Sequence, residues 1–133
     1  MVRTYGLTHV ALAVADLERS VRFYLELFGM VETYRGEAYA QLETPGCRDV
    51  LVLELDPARA GSGGGVRHFG FRLADPGDID SAADEVERAG GRIRERGEFC
   101  PGEPYLFAFD PDGYEIEIWY EPPAPAEGRV ADA

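Results

Sequence analysis

His9 and His68 are the only histidines of the chain, and each stands near the start of an alternating run, LTHVALAV at 7–14 and VRHFGFRL at 66–73. Successive side chains of a strand point to opposite faces, so His9 lies across from Val10, Leu12 and Val14, and His68 across from Phe69, Phe71 and Leu73. Two glutamates obey the same parity: Glu54 opposes Leu51, Leu53 and Leu55, and Glu117 opposes Tyr114, Ile116 and Ile118. One histidine on a strand is ordinarily a hydrogen-bonded structural group, and one strand glutamate is ordinarily solvated. Four such residues in matching places of a repeated pattern suggest a common ligand instead. Two neutral imidazoles with two carboxylates carry two negative charges, which a divalent cation neutralises. Nitrogen and oxygen donors without thiolate suit Ni²⁺, Zn²⁺, Co²⁺, Mn²⁺ or Fe²⁺ better than Ca²⁺. One ion per site is expected, with positions left open for water or substrate.

The elements that must position these residues repeat. Asp16 caps a helix with Leu17, Val21, Tyr24, Leu25 and Phe28 at helical spacing, which stops at Gly29. A hairpin around Gly36-Glu37 joins Met30–Arg35 to Ala38–Thr44, and Asp49–Leu55 is the next strand. After Ala60-Gly61-Ser62-Gly63-Gly64-Gly65, read as a flexible linker because no helix follows to face an anion, the order recurs. Asp78 caps the second helix, which carries Ile79, Ala82, Ala83 and Val86 and ends at Gly90-Gly91. Arg96-Gly97-Glu98 is expected to repeat the first hairpin turn. Tyr105–Phe109 and Tyr114–Tyr120 complete the set, the last strand launched by the turn Asp110-Pro111-Asp112-Gly113. The expected architecture is α+β, two paired βαβββ modules over 1–59 and 66–120 with a linker at 60–65 and a flexible tail at 121–133. All four candidate ligands fall on the sheet face turned away from the helices.

The totals narrow the function. A chain of 133 residues is one domain or two small halves sharing a core. Its 25 acidic and 13 basic residues give a net charge of −12, which argues against binding nucleic acid through phosphate neutralisation. Every basic residue is arginine, so Schiff-base chemistry and a lysine base are excluded. No apolar run reaches the roughly 20 residues that span a bilayer, and the first residues lead into a strand. A cytoplasmic protein without membrane partners is the expectation. Cys47 and Cys100 fall in loops and are read as reduced and incidental. Glu115 shares a face with Glu117 and is read as rim, or as paired to an arginine such as Arg72.

The stretches LTHVALAVADLERSVRFYLELFGM, VLVLELDP, VRHFGFRL and DPDGYEIEIWY together resemble the vicinal-oxygen-chelate superfamily, which includes glyoxalase I, extradiol dioxygenases, fosfomycin-resistance proteins and bleomycin-binding proteins. The resemblance runs from about Leu7 to Tyr120. It implies a cupped mixed sheet with helices on the convex side, a homodimer with the metal site possibly shared between chains, and a small-molecule substrate. The nearest likeness, bacterial glyoxalase I, implies His9, Glu54, His68 and Glu117 as metal ligands. It also implies lyase or isomerase chemistry in which the metal chelates an α-hydroxycarbonyl or thioester substrate and stabilises its enediolate, with Glu117 as base and Glu54 as its counterpart. The groups that would grip glutathione's carboxylates fall on Ala13 and Ala58, so that grip is missing. Tyr39, Gln41, Arg72, Tyr105, Phe107 and Trp119 are the candidates for lining a pocket. An Fe(II) ring-cleaving dioxygenase, using His9, His68 and Glu117, is one alternative; a non-enzymatic drug-sequestering protein is another. Thiol transfer to a phosphonate fits an acidic, lysine-free chain less well.

Overall fold

The computed structural model of the chain describes residues 1–123, so the expected tail lies outside the described residues from 124 onward. The first module runs β1 (His9–Val14), α1 (Leu17–Phe28), β2 (Val31–Arg35), β3 (Tyr39–Glu43) and β4 (Val50–Leu55). The second runs β5 (Phe69–Arg72), α2 (Ile79–Ala89), β6 (Arg92–Glu98), β7 (Pro104–Phe109) and β8 (Glu115–Trp119), with a 3-10 turn at Pro76–Asp78 before α2. Each module is a four-stranded mixed sheet, ordered β1-β4-β3-β2 and β5-β8-β7-β6, with its first and last strands parallel. The expected paired βαβββ architecture is what the chain adopts.

Parity decides which face is covered. Val10, Leu12 and Val14, together with Leu51 and Leu53, turn inward under α1, while Leu106, Ala108, Ile116 and Ile118 turn inward under α2. The helices pack on each other as well as on their own sheets, so the two modules share one apolar core. Phe28 of α1 stacks on Phe71 of β5 with ring centroids 3.7 Å apart. Burying such rings away from water contributes on the order of 2 kcal/mol each.

The DPDG turn carries a polar bond set that sequence patterning does not reveal. Asp110, 4% exposed, accepts from the Tyr24 hydroxyl at 2.7 Å and from the Asp112 and Tyr114 amides. Asp112 accepts from the Ala15 amide, the Arg19 guanidinium and the Ser20 hydroxyl, and the Tyr114 hydroxyl donates to the Ala13 carbonyl. The second module is thereby tied to the strand-to-helix corner of the first. Burial is the main cause that raises Asp110 above the ordinary carboxylate range, opposed by these donors.

Three local expectations are corrected. Gly97 is not the hairpin turn: β6 continues to Glu98, and Phe99 to Glu103 make the turn, with the Glu103 amide donating to the Cys100 carbonyl. Gly97 instead lets Tyr105 lie against the strand, because a Cβ there would stand 2.6 Å from the tyrosine oxygen. Asp78 makes no side-chain cap; Asp75 caps the 3-10 turn ahead of it by accepting from the Gly77 amide. Finally, the glycine-rich segment is a run of tight turns, and Gly61, at φ 79°, lies so close to the Asp112 carbonyl that a Cβ would fall 2.4 Å away.

Candidate metal site

His68 precedes β5, and β5 pairs with β8 so that Phe69 faces Ile116 and Gly70 faces Glu117. That register brings the His68 Nε2 to 3.2 Å from the Glu117 Oε2, on the sheet face opposite the core, with side-chain exposures of 38% and 14%. Phe107 of β7, directly across from Glu117, meets the imidazole edge-to-face at 5.1 Å and limits its rotation. Two donors on one ion at about 2.1 Å stand about 3.0 Å apart at a right angle and about 3.4 Å apart at a tetrahedral angle. The observed separation and the nitrogen and oxygen donor types therefore fit two neighbouring positions on a divalent cation.

The first module is arranged differently. His9 pairs with Val50, Ala11 with Val52 and Ala13 with Glu54. His9 is exposed on the open face, as is Glu54. By the pairing that sets His68 beside Glu117, the residue of β4 equivalent to Glu117 is Val52, 6% exposed. Glu54 stands two residues further along the strand, roughly 7 Å beyond that position. Sequence parity puts Glu54 on the right face but does not set its register, so the expected correspondence between Glu54 and Glu117 does not hold. Among the described residues of one chain, no group of three or more His, Cys, Asp and Glu side chains is gathered closely enough to hold a metal ion. Of the four candidate ligands, one chain brings His68 and Glu117 together.

The pocket candidates divide between the sheets. Tyr39 and Gln41 lie on β3, facing Glu54 and Val52. Arg72, Tyr105, Phe107 and Trp119 lie on the second sheet, where an open recess of about 490 Å³ borders Glu117. Its lining is Gly70, Phe99, Glu103, Glu117, Trp119 and Glu121, so Trp119 is the one expected pocket residue among them. Phe99, Glu103 and Glu121 escaped the sequence reading because they lie in turns or beyond strand ends, where there is no parity to follow, and Gly70 escaped it because it has no side chain. Gly70 has a spatial reason: a Cβ there would stand 3.1 Å from the Trp119 Nε1. Glu115 is held by Arg94, not Arg72, with the Arg94 Nε donating at 2.8 Å. Arg72 instead lies over the Trp119 ring at 5.9 Å and donates to the Glu121 carbonyl.

A family model described as the Glyoxalase/Bleomycin resistance protein/Dioxygenase superfamily matches residues 6–118. The chain belongs to this superfamily. Among its relatives, the glutathione transferase FosA of Serratia marcescens is 33% identical over 117 residues, covering 85% of this chain and 79% of the relative. A probable lactoylglutathione lyase of Vibrio parahaemolyticus is 30% identical over 122 residues, covering 83% and 86%. A manganese-dependent 2,3-dihydroxybiphenyl 1,2-dioxygenase of Geobacillus genomosp. 3 is 30% identical over 129 residues, covering 91% of this chain but 39% of the relative. Transferase, lyase and dioxygenase names stand at similar identity, so the superfamily is shown and the reaction within it is left to the site. Among the described residues, no helix is long and apolar enough to cross a membrane.

Proposed function

We propose that this superfamily member is a divalent-metal-dependent lyase or isomerase acting on a small molecule that presents two neighbouring oxygens, with a site completed by a second copy of the chain. The observation that carries this reading is the His68–Glu117 pair, 3.2 Å apart on an open face, with no third donor gathered to it among the described residues of one chain. His9, exposed in the corresponding place of the other module, is the donor a second copy would bring. The proposed set is thus His9 of one copy with His68 and Glu117 of the other. When bound, the cation supplies Lewis-acid polarisation of the substrate's oxygens, which acidifies the neighbouring C–H.

The protein groups then have separate tasks. Glu117 and His68 would serve as ligands, with Phe107 packed edge-to-face against the imidazole. Glu54, set beyond the ligand position along the strand, is free to accept the proton from substrate carbon and return it to the next carbon. Ala13, directly across from Glu54, leaves room there and offers no cation for a carboxylate. This refines the expected roles, in which both glutamates bound metal.

A second reading, a ring-cleaving dioxygenase, is supported by the same register. Two histidines and one carboxylate with open positions are the donor set of non-haem Fe(II) oxygenases. Oxygen uptake with catechols, absent for the lyase, separates the two.

Metal analysis before and after chelation tests the main reading. About one ion per chain is expected for the wild type and none for His9→Ala or His68→Ala. Mixing those two variants and allowing exchange pairs an intact His9 with an intact His68 in one site of each mixed dimer, restoring roughly a quarter of the sites. A site built within one chain would restore none.

A further inference from the structure

The recess beside Glu117 has walls of two kinds. Trp119 and Phe99 provide flat apolar surface, and Glu103, Glu117 and Glu121 provide carboxylates. Among the described residues, no basic side chain lines it. Of the neighbouring arginines, Arg94 pairs with Glu115 and Glu95, while Arg72 lies at the edge of the recess, over the indole ring and against the Glu121 carbonyl. Arg72 already places a cation on the indole at 5.9 Å, so the ring face is in use as a cation platform. Glu103 is half-buried and Glu121 is exposed at the mouth, while Gly70 keeps the floor open beneath the indole.

From this we infer that the recess is the substrate-recognition half of the site and takes a ligand with a flat unsaturated group and a positively charged nitrogen. Opposite charge favours such a ligand at Glu103 and Glu121, and the aromatic walls accept its flat part. A carboxylate or phosphonate in the same place meets like charge. The inference rests on the metal-site reading only in placing the recess next to the reacting atoms. It narrows the substrate class to amines, amidines or quaternary ammonium compounds that also carry the two chelating oxygens.

Trp119 is the chain's single tryptophan, so its fluorescence reports this recess directly. The test titrates the full chain with three probes of one ring size, benzylammonium, benzyl alcohol and benzoate, each with and without EDTA, and measures metal content on the same samples. Benzylammonium is expected to bind at least about fivefold tighter than benzoate, with benzyl alcohol between them and the gap narrowing as salt is added. In the Glu103→Gln, Glu121→Gln double variant the preference is expected to fall below about twofold. Equal binding, tighter benzoate, no binding of any probe, or a preference untouched by the double variant overturns the inference. A cation preference that survives EDTA in a protein that takes up no metal leaves this inference standing and defeats the metal reading. Metal uptake without a cation preference does the reverse.

Discussion

In the second module the histidine ahead of β5 reaches a glutamate two places along β8; in the first, the same position on β4 holds Val52, and Glu54 comes two places later. The helix-facing sides of the two sheets show no such divergence. Leu12 and Val14 are buried as Phe71 and Leu73 are packed, and Leu51 and Leu53 match Ile116 and Ile118. The covered face must fill one shared core, where a missing methylene or a stray charge costs on the order of 1 kcal/mol or more. The open face answers to no such constraint. It is where one module keeps the His68–Glu117 pair and an aromatic recess while the other presents an exposed histidine and a displaced carboxylate.

The largest effect that can break this comparison comes from the two glutamates. Glu117→Gln is expected to abolish metal retention and to lower turnover by more than about 100-fold, because a neutral amide replaces a charged ligand. Glu54→Gln is expected to keep the full metal content while turnover falls by roughly 10²–10⁴, the contribution of a positioned general base. Metal content measured beside activity separates the two. Loss of metal in Glu54→Gln would return Glu54 to the ligand set and make the modules equivalent after all.

A smaller effect tests how the modules are joined. Tyr24 of α1 is fully buried and donates to Asp110 of the second module. Burial, then the neighbouring Asp110 charge, holds its phenol well above the ordinary tyrosine value. The folded value exceeds the unfolded one, so this contribution to stability is complete below about pH 10 and is lost as pH rises above it. Tyr24→Phe is expected to cost about 1–3 kcal/mol at neutral pH by removing a donor from a buried carboxylate. It should also flatten the alkaline loss, seen as a smaller difference between denaturant midpoints at pH 8 and pH 11.

The alternation in LTHVALAV, VLVLEL and EIEIW made both sheets legible, and with them the face on which His9, Glu54, His68 and Glu117 stand. It could not reveal register. A slip of one residue would have turned side chains into the core and been noticed, whereas a slip of two preserves every face assignment. The displacement of Glu54 is a slip of that kind. Bulges between Glu32 and Tyr34 and between Ile93 and Glu95 hid a second class of feature, because they break the parity of β2 and β6. Arg94, the partner of Glu115, lies in one of them. The Tyr24–Asp110 and Ala15–Asp112 bonds join residues 86 and 97 positions apart, which no local pattern encodes.

The smallest effect concerns the helix starts, where the modules look alike in sequence and differ in structure. Asp16 is extended, at φ −144° and ψ 108°, and its side chain accepts from the Arg19 amide at 3.0 Å. Asp78 has helical backbone, at φ −83° and ψ −1°, which turns its carboxylate away from the amides it would cap. Asp16→Ala is therefore expected to cost about 1 kcal/mol. Asp78→Ala should cost only a few tenths, the residual attraction between its charge and the helix dipole. That residue of the effect should shrink in 1 M salt while the Asp16 cost persists, since a short hydrogen bond is screened far less than an exposed charge. Equal costs from chemical denaturation of the two variants would mean that the 3-10 turn unwinds in solution and lets Asp78 cap α2 as Asp16 caps α1.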